Sequence, residues 1–177
     1  MEQRGSSAYA SDRRGVARGM AAAALATAFL WFLAWALAAG AEADRSRLLA
    51  QALLASAVCL VAGIAFIARH RFDSEKAIGG GNPHDDHVLE RAGSYLQNTL
   101  EQSALAAMVY AALAIALPAR WLVILPLMAL AFASGRVAFA FGLEGRPPRR
   151  AFGFGLTFYP SVVGLAVAAL LLLAGPG

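Results

Sequence analysis

Residues 121–143 read WLVILPLMALAFASGRVAFAFGL, twenty-three positions with one charge, Arg136. About 20 apolar residues cross the hydrocarbon of a bilayer as a helix. This run is long enough to span, and it is continuous rather than alternating. Strands of a membrane barrel would alternate apolar and polar residues over segments of about ten. A helix satisfies its own backbone in lipid, so the run predicts a transmembrane helix.

Working outward, four further runs have the same character. Residues 19–41 carry no charge, with Trp31 and Trp35 in the second half. Residues 48–68 are uncharged and end at Arg69-His70-Arg71. A third span covers about 95–119, polar at its start and apolar from Ser103 onward. Residues 152–174 are uncharged, with Pro160 near the first third. Only Leu117-Pro118-Ala119-Arg120 separates the third and fourth spans, which demands an antiparallel hairpin, and Pro118 favours the break.

The composition agrees. Of 177 residues, 59% are hydrophobic and 15% charged, against roughly 25% charged in soluble domains. A soluble domain of this length could not bury so much apolar surface in one core. The expected fold is an all-α integral membrane helical bundle with five spans. Its expected organisation is a basic tail over 1–18, a first span over 19–41, and a four-helix domain over 48–177.

The net charge of +4 does not indicate nucleic acid as a partner, because the arginines lie between apolar runs. That placement sets membrane orientation. The N-terminal tail and the loops after the second and fourth spans hold eleven Lys and Arg, and the opposite side holds three. The positive-inside rule puts the N-terminus and those loops in the cytoplasm and the C-terminus outside. Short loops suit a bacterial inner membrane. Span one has a rival reading as a cleaved signal peptide, since Ala41-Glu42-Ala43 resembles a cleavage site. Its apolar stretch exceeds the usual 7–15 residues or so of such a segment, which favours retention.

Cys59 is the single cysteine and sits in an apolar run, where a buried, inert thiol is expected. His84-Asp85-Asp86-His87 follows Gly79-Gly80-Gly81-Asn82-Pro83. Adjacent residues rarely converge on one ion, so a solvated loop is the better reading and no metal is expected.

Polar groups inside a membrane are costly and default to functional hypotheses. Span three opens with Arg91, Ser94, Tyr95, Asn98, Glu101 and Gln102 at helical spacing, which predicts one polar stripe. Arg136 lies about two turns before the end of span four, roughly 10 Å below the same boundary. A carboxylate and a guanidinium at one depth should pair. Glu101 and Arg136 are therefore expected to face each other, within a subunit or across a subunit contact. Arg146, Arg149 and Arg150 stand at the mouth of the stripe in a Pro- and Gly-rich turn, an arrangement suited to carboxylates, phosphates or anionic lipid head groups.

Three motifs carry a resemblance: Asn98-Thr99-Leu100-Glu101, Gly135-Arg136-Val137-Ala138, and Arg146-Pro147-Pro148-Arg149-Arg150-Ala151-Phe152-Gly153-Phe154. Over about residues 48–174 the chain resembles the MAPEG family, the membrane-associated proteins of eicosanoid and glutathione metabolism. The resemblance implies a four-helix bundle, commonly a trimer, that binds glutathione between subunits near the cytoplasmic side. It implies conjugation of the glutathione thiol to a lipophilic electrophile, peroxide reduction or isomerisation. It casts Arg150 or Arg149 as the thiolate-stabilising, catalytic group. Arg91, Ser94, Tyr95, Asn98, Glu101, Arg136 and Arg146 become the binding residues. Two departures stand out. No basic residue lies three or four positions before Asn98, and Phe139, Phe141 and Leu143 stand where hydroxyl-bearing aromatics are common. The first span has no counterpart in the four-helix plan.

Three functions follow: a glutathione-dependent transferase or peroxidase, a non-catalytic scaffold or subunit docking a membrane partner through the first span, or an anionic lipid-binding protein.

Overall fold

Helix starts are set by carboxylates. Asp44 caps α2 (Arg45–Asp73) by accepting from the Arg47 amide at 3.1 Å. Asp86 caps α3 (His87–Ala116) by accepting from the Val88 and Leu89 amides at 2.8 and 3.3 Å. Each satisfies an amide that the first helical turn leaves without a partner. The other helices are α1 (Glu2–Leu37), α4 (Ile124–Gly142) and α5 (Pro147–Leu173), with a 3-10 turn at Ala119–Trp121 between α3 and α4. The structure is a computed structural model; it describes residues 2–38, 44–74, 86–143, 145 and 147–174, without the side chains of 2–8.

All five helices are long and apolar enough to cross a membrane. Residues 2–18, the basic stretch ahead of the first span, are helical and continuous with it in α1. The break after Leu117 falls where Pro118 suggested it. Leu25, Phe29, Phe32 and Trp35 of α1 and Leu54, Val58 and Val61 of α2 are exposed. Such outward apolar faces are what lipid solvates.

Arg45, which the charge pattern reads as an orientation signal, has a structural task as well. Its guanidinium donates to the Ala114 carbonyl, to Ile115 O at 3.3 Å and to Leu117 O at 3.0 Å. These are carbonyls at the C-terminus of α3, where a cation is favoured. The start of α2 is thereby tied to the end of α3, and the two helices run antiparallel.

At the opposite end, His70 Nε2 meets Asp86 Oδ2 at 2.8 Å, joining the end of α2 to the cap of α3. The hydrogen bond from His70, then the one from the Val88 amide, hold the Asp86 carboxyl below its ordinary value. A depressed carboxyl stabilises the fold above its unfolded pKa and loses that contribution as pH falls through the folded one. The first turn of α3 is therefore expected to loosen below about pH 4. Hydrogen exchange at the Val88 and Leu89 amides should accelerate there, and Asp86→Ala should exchange fast at every pH.

Small residues decide which helices approach closely. Gly15, Gly19, Ala23 and Thr27 repeat every four positions along α1, and the first three face α5. A Cβ on Gly155 of α5 would lie 2.7 Å from Ala23 Cβ, and one on Gly19 would lie 3.1 Å from Ala151 Cβ. The other side of α5 meets α4, where a Cβ on Gly135 would lie 2.9 Å from Gly153 O. Higher up, Gly164 packs on Val109 of α3. α5 is thus clasped between α1 and the bundle, and small residues permit the approach. The apolar core lies beside it, around Tyr110, Leu113, Leu125, Met128 and Phe132.

Candidate functional site

Arg136 projects from α4 into the space between α3 and α5, and its side chain is fully buried. Its Nη1 donates to Asn98 Oδ1 on α3 at 2.7 Å. Its Nη2 donates to Thr157 Oγ1 on α5 at 2.8 Å and to Gly153 O at 3.4 Å. The guanidinium carbon lies 4.7 Å from the Phe139 ring centre and 5.9 Å from that of Phe132. One fork therefore joins three helices. The approach of α5 that makes this reach possible is the one Gly153 permits.

The expected partner is not there. Glu101 is exposed, and its Oε1 accepts from Gln97 Nε2 at 2.9 Å on its own helix. The physical reason is azimuth. Three residues turn an α-helix by about 300° and advance it about 4.5 Å, so Glu101 stands some 60° round from Asn98 and nearly one turn further along. Asn98 reaches the arginine, and Glu101 points outward.

Every hydrogen-bond partner of Arg136 among the described residues is neutral, and its Nε has none. A buried charge ordinarily keeps a paired counter-charge. Here aromatic faces and oxygen dipoles compensate only in part. The site is short of one negative charge.

Beside Asn98 opens a cavity of about 520 Å³. Ser94 and Asn98 line it from α3, Phe139 from α4, and Arg150 and Phe154 from α5. Val16 and Met20 of α1 close one side. With its Oδ1 committed to Arg136, Asn98 keeps its amide NH2 for another acceptor. Arg150 is exposed and is the one charged side chain among the described lining residues; Arg136 stands behind Asn98 and does not itself reach the cavity. A volume in the range of small-molecule pockets, roughly 300–1,000 Å³, meets a positive, partly dry wall.

The expected single polar stripe on α3 divides in two. Ser94 and Asn98 face this cavity, whereas Arg91 and Tyr95 line a separate apolar pocket of about 320 Å³ with Gly63, Phe66 and Leu143. Arg91 is exposed, and its Nε donates to His87 O at 3.2 Å. Gln102 is buried on the far side. Arg149 does not line the cavity of Arg150 but opens onto the neighbouring one. Arg146, and with it His84 and Asp85, lies outside the described residues. Among the described residues no cluster of His, Cys, Asp and Glu could hold a metal ion. Cys59 is half-buried on α2.

Two contributions escaped the sequence reading. Thr157 is the hydroxyl that accepts from Arg136, and a polar residue in an otherwise apolar span was its signal. Val16 and Met20 belong to a helix that had no expected role in the site.

A family model described as the MAPEG family matches residues 48–171, which takes in α2 to α5 almost entirely and leaves α1 outside. No curated protein and no solved structure matches the chain.

Proposed function

The chain belongs to the MAPEG family, and from that premise we propose that it is a membrane-embedded, glutathione-dependent transferase or peroxidase acting on lipophilic substrates. The observation that carries this reading is the buried, under-neutralised Arg136 held behind Asn98, whose other side opens on a cavity with the Arg150 guanidinium on its wall. Glutathione is a small polar molecule with two carboxylates and an ionisable thiol. Its charge supplies what the site lacks, and the residues present fit it.

In this reading Arg136 acts through Asn98. It fixes the amide orientation and adds a positive field to the back of the cavity. Ser94 offers a hydroxyl, and Asn98 offers its NH2. Arg150 is the catalytic group: a cation beside a thiol lowers the thiol's pKa, and the thiolate is the attacking species. Phe139, Phe154, Val16 and Met20 limit water around the sulfur, which strengthens every charge interaction there. Glutathione supplies the nucleophilic sulfur, and the membrane supplies the lipophilic partner. Glu101, turned outward, is available to a neighbouring copy, in keeping with the trimer that the family suggests. The arginine distribution supports a cavity that opens toward the cytoplasm, and the short loops suit a bacterial inner membrane.

Calorimetry in detergent with added glutathione tests the proposal. Binding at millimolar or lower concentration is expected, with turnover of a lipophilic electrophile or hydroperoxide. Arg150→Gln should keep most of the affinity and lose turnover by roughly a hundredfold, the middle of the range for a single positioned catalytic group. No binding at millimolar glutathione overturns the proposal. A partner protein copurifying in fixed ratio, without turnover, would favour the scaffold reading that the additional helix α1 allows.

A further inference from the structure

Arg149 and Arg150 are consecutive, and successive helical residues point about 100° apart. They serve different cavities. The one on which Arg149 opens has a volume of about 570 Å³ and lies between the first half of α1 and the start of α5. Arg14 and Arg18 line it from α1, one turn apart, and Arg149 lines it from α5. Asp12 is the one carboxylate among its described lining residues, and Ser11 adds a hydroxyl.

The packing that makes this cavity is tight. A Cβ on Gly15 would stand 2.7 Å from Pro148 Cγ, so α1 and the first turn of α5 touch through that glycine. Arg14 and Arg18 flank the contact on α1. Arg14 is exposed, and its Nε donates to Ala10 O at 3.2 Å. Among the described residues no ion pair involves Arg14, Arg18 or Arg149. Three guanidinium groups against one carboxylate leave two positive charges, the complement of a phosphate group. Arginine forks suit such tetrahedral oxyanions.

The location narrows the source. On α1 the cavity ends at Arg18, the last charge before the uncharged run that begins at Gly19. That is the depth at which a bilayer carries its phosphates. We propose that the pocket formed by Arg14, Arg18 and Arg149 binds a phosphate-bearing anion and so fastens α1 onto α5. The shared chemistry belongs to two sources, a membrane phospholipid head group and a soluble phosphate. The site is distinct from the glutathione cavity and stands if that reading fails, because no shared side chain carries it.

The test uses the full chain in nanodiscs. One arm compares bilayers of phosphatidylcholine alone with bilayers containing phosphatidylglycerol, and native mass spectrometry reads the lipid retained. A second arm adds inorganic phosphate to the phosphatidylcholine sample and reads thermal stability. Preferential retention of phosphatidylglycerol identifies the lipid source; stabilisation by phosphate without lipid preference identifies the soluble one. The variant R14Q/R18Q/R149Q should abolish whichever is seen. Asp12→Asn, a mild change on α1, removes the opposing charge and should tighten binding about two- to fivefold, the usual worth of one exposed ion pair. No preference and no stabilisation, or Asp12→Asn leaving binding unchanged or weaker, overturns the proposal.

Discussion

Arg136→Met is expected to abolish glutathione binding while leaving the ligand-free protein at least as stable as the parent. The second half of that expectation rests on a balance of opposing terms. The substitution gives up two short hydrogen bonds and one long one, each worth about 1 kcal/mol net, somewhat more from a charged donor. Against this, burying a guanidinium costs several kcal/mol even after relaxation, and no carboxylate among the described residues repays it. The stranded partners are not badly off. Asn98 opens onto the cavity, and Thr157 still donates to Phe154 O at 2.9 Å. Methionine is unbranched and sits well against Phe132 and Phe139. Relief of desolvation therefore outweighs or equals the lost bonds. Chemical denaturation in detergent, run with and without glutathione, checks both halves. If Arg136 were a structural clamp alone, the methionine variant would lose stability by about 3–5 kcal/mol, as a severed buried network does. Arg136→Lys keeps the charge as a point but loses the fork, so it cannot serve Asn98 and Thr157 together. It should bind glutathione weakly and be the least stable of the three.

Gly153→Ala should damage fold and site together. A Cβ at this position meets the Phe139 amide nitrogen, and it would stand 2.6 Å from Gly135 O and 2.8 Å from Phe139 Cα. All three obstacles are backbone, so no side chain can swing aside. The α4–α5 pair must separate, and overpacking of this kind costs about 1–3 kcal/mol and at times more. Gly153 also supplies a carbonyl to Arg136, and Thr157 lies one turn on. Separation by a few tenths of an ångström lengthens both contacts. The expected result is a loss of about 3 kcal/mol in denaturation, at the upper end because backbone is the obstacle. Glutathione affinity should fall at least tenfold, through misplaced groups rather than a deleted one. Gly93→Ala, where a Cβ would meet nothing within 4 Å, is the matched control and should change neither.

The spans were legible because the bilayer imposes a length, and each apolar run met it. Arg136 was legible for the same reason: one charge in twenty-three residues cannot be incidental. Its partner is Asn98 rather than Glu101 because spacing along and around one helix can be counted from sequence, whereas the side of that helix turned toward its neighbour cannot. Asn98 and Glu101 lie nearly one turn apart, and the packing of α3 on α4 chose between them. Arg149 and Arg150 were treated as one cluster, although the turn between consecutive helical residues separates them into two cavities. The role of α1 had a signal that went unused. Gly15, Gly19, Ala23 and Thr27 form a small-residue stripe that announces a close helix contact. Nothing in the stripe names α5 as its partner; the matching small residues at Ala151 and Gly155 do so only once both helices are in place. Residues 2–18 read as a tail because their charge is high, yet they lack the proline that would have ended the helix.

The thiolate absorption of glutathione in the ultraviolet, recorded at neutral pH on adding the purified protein, tests the site most directly. A new absorption band proportional to protein, lost in Arg150→Gln and absent from Arg136→Met, is the expected result. A glutathione thiol that stays protonated in the presence of saturating protein would contradict a thiolate-stabilising cation in the cavity beside Asn98.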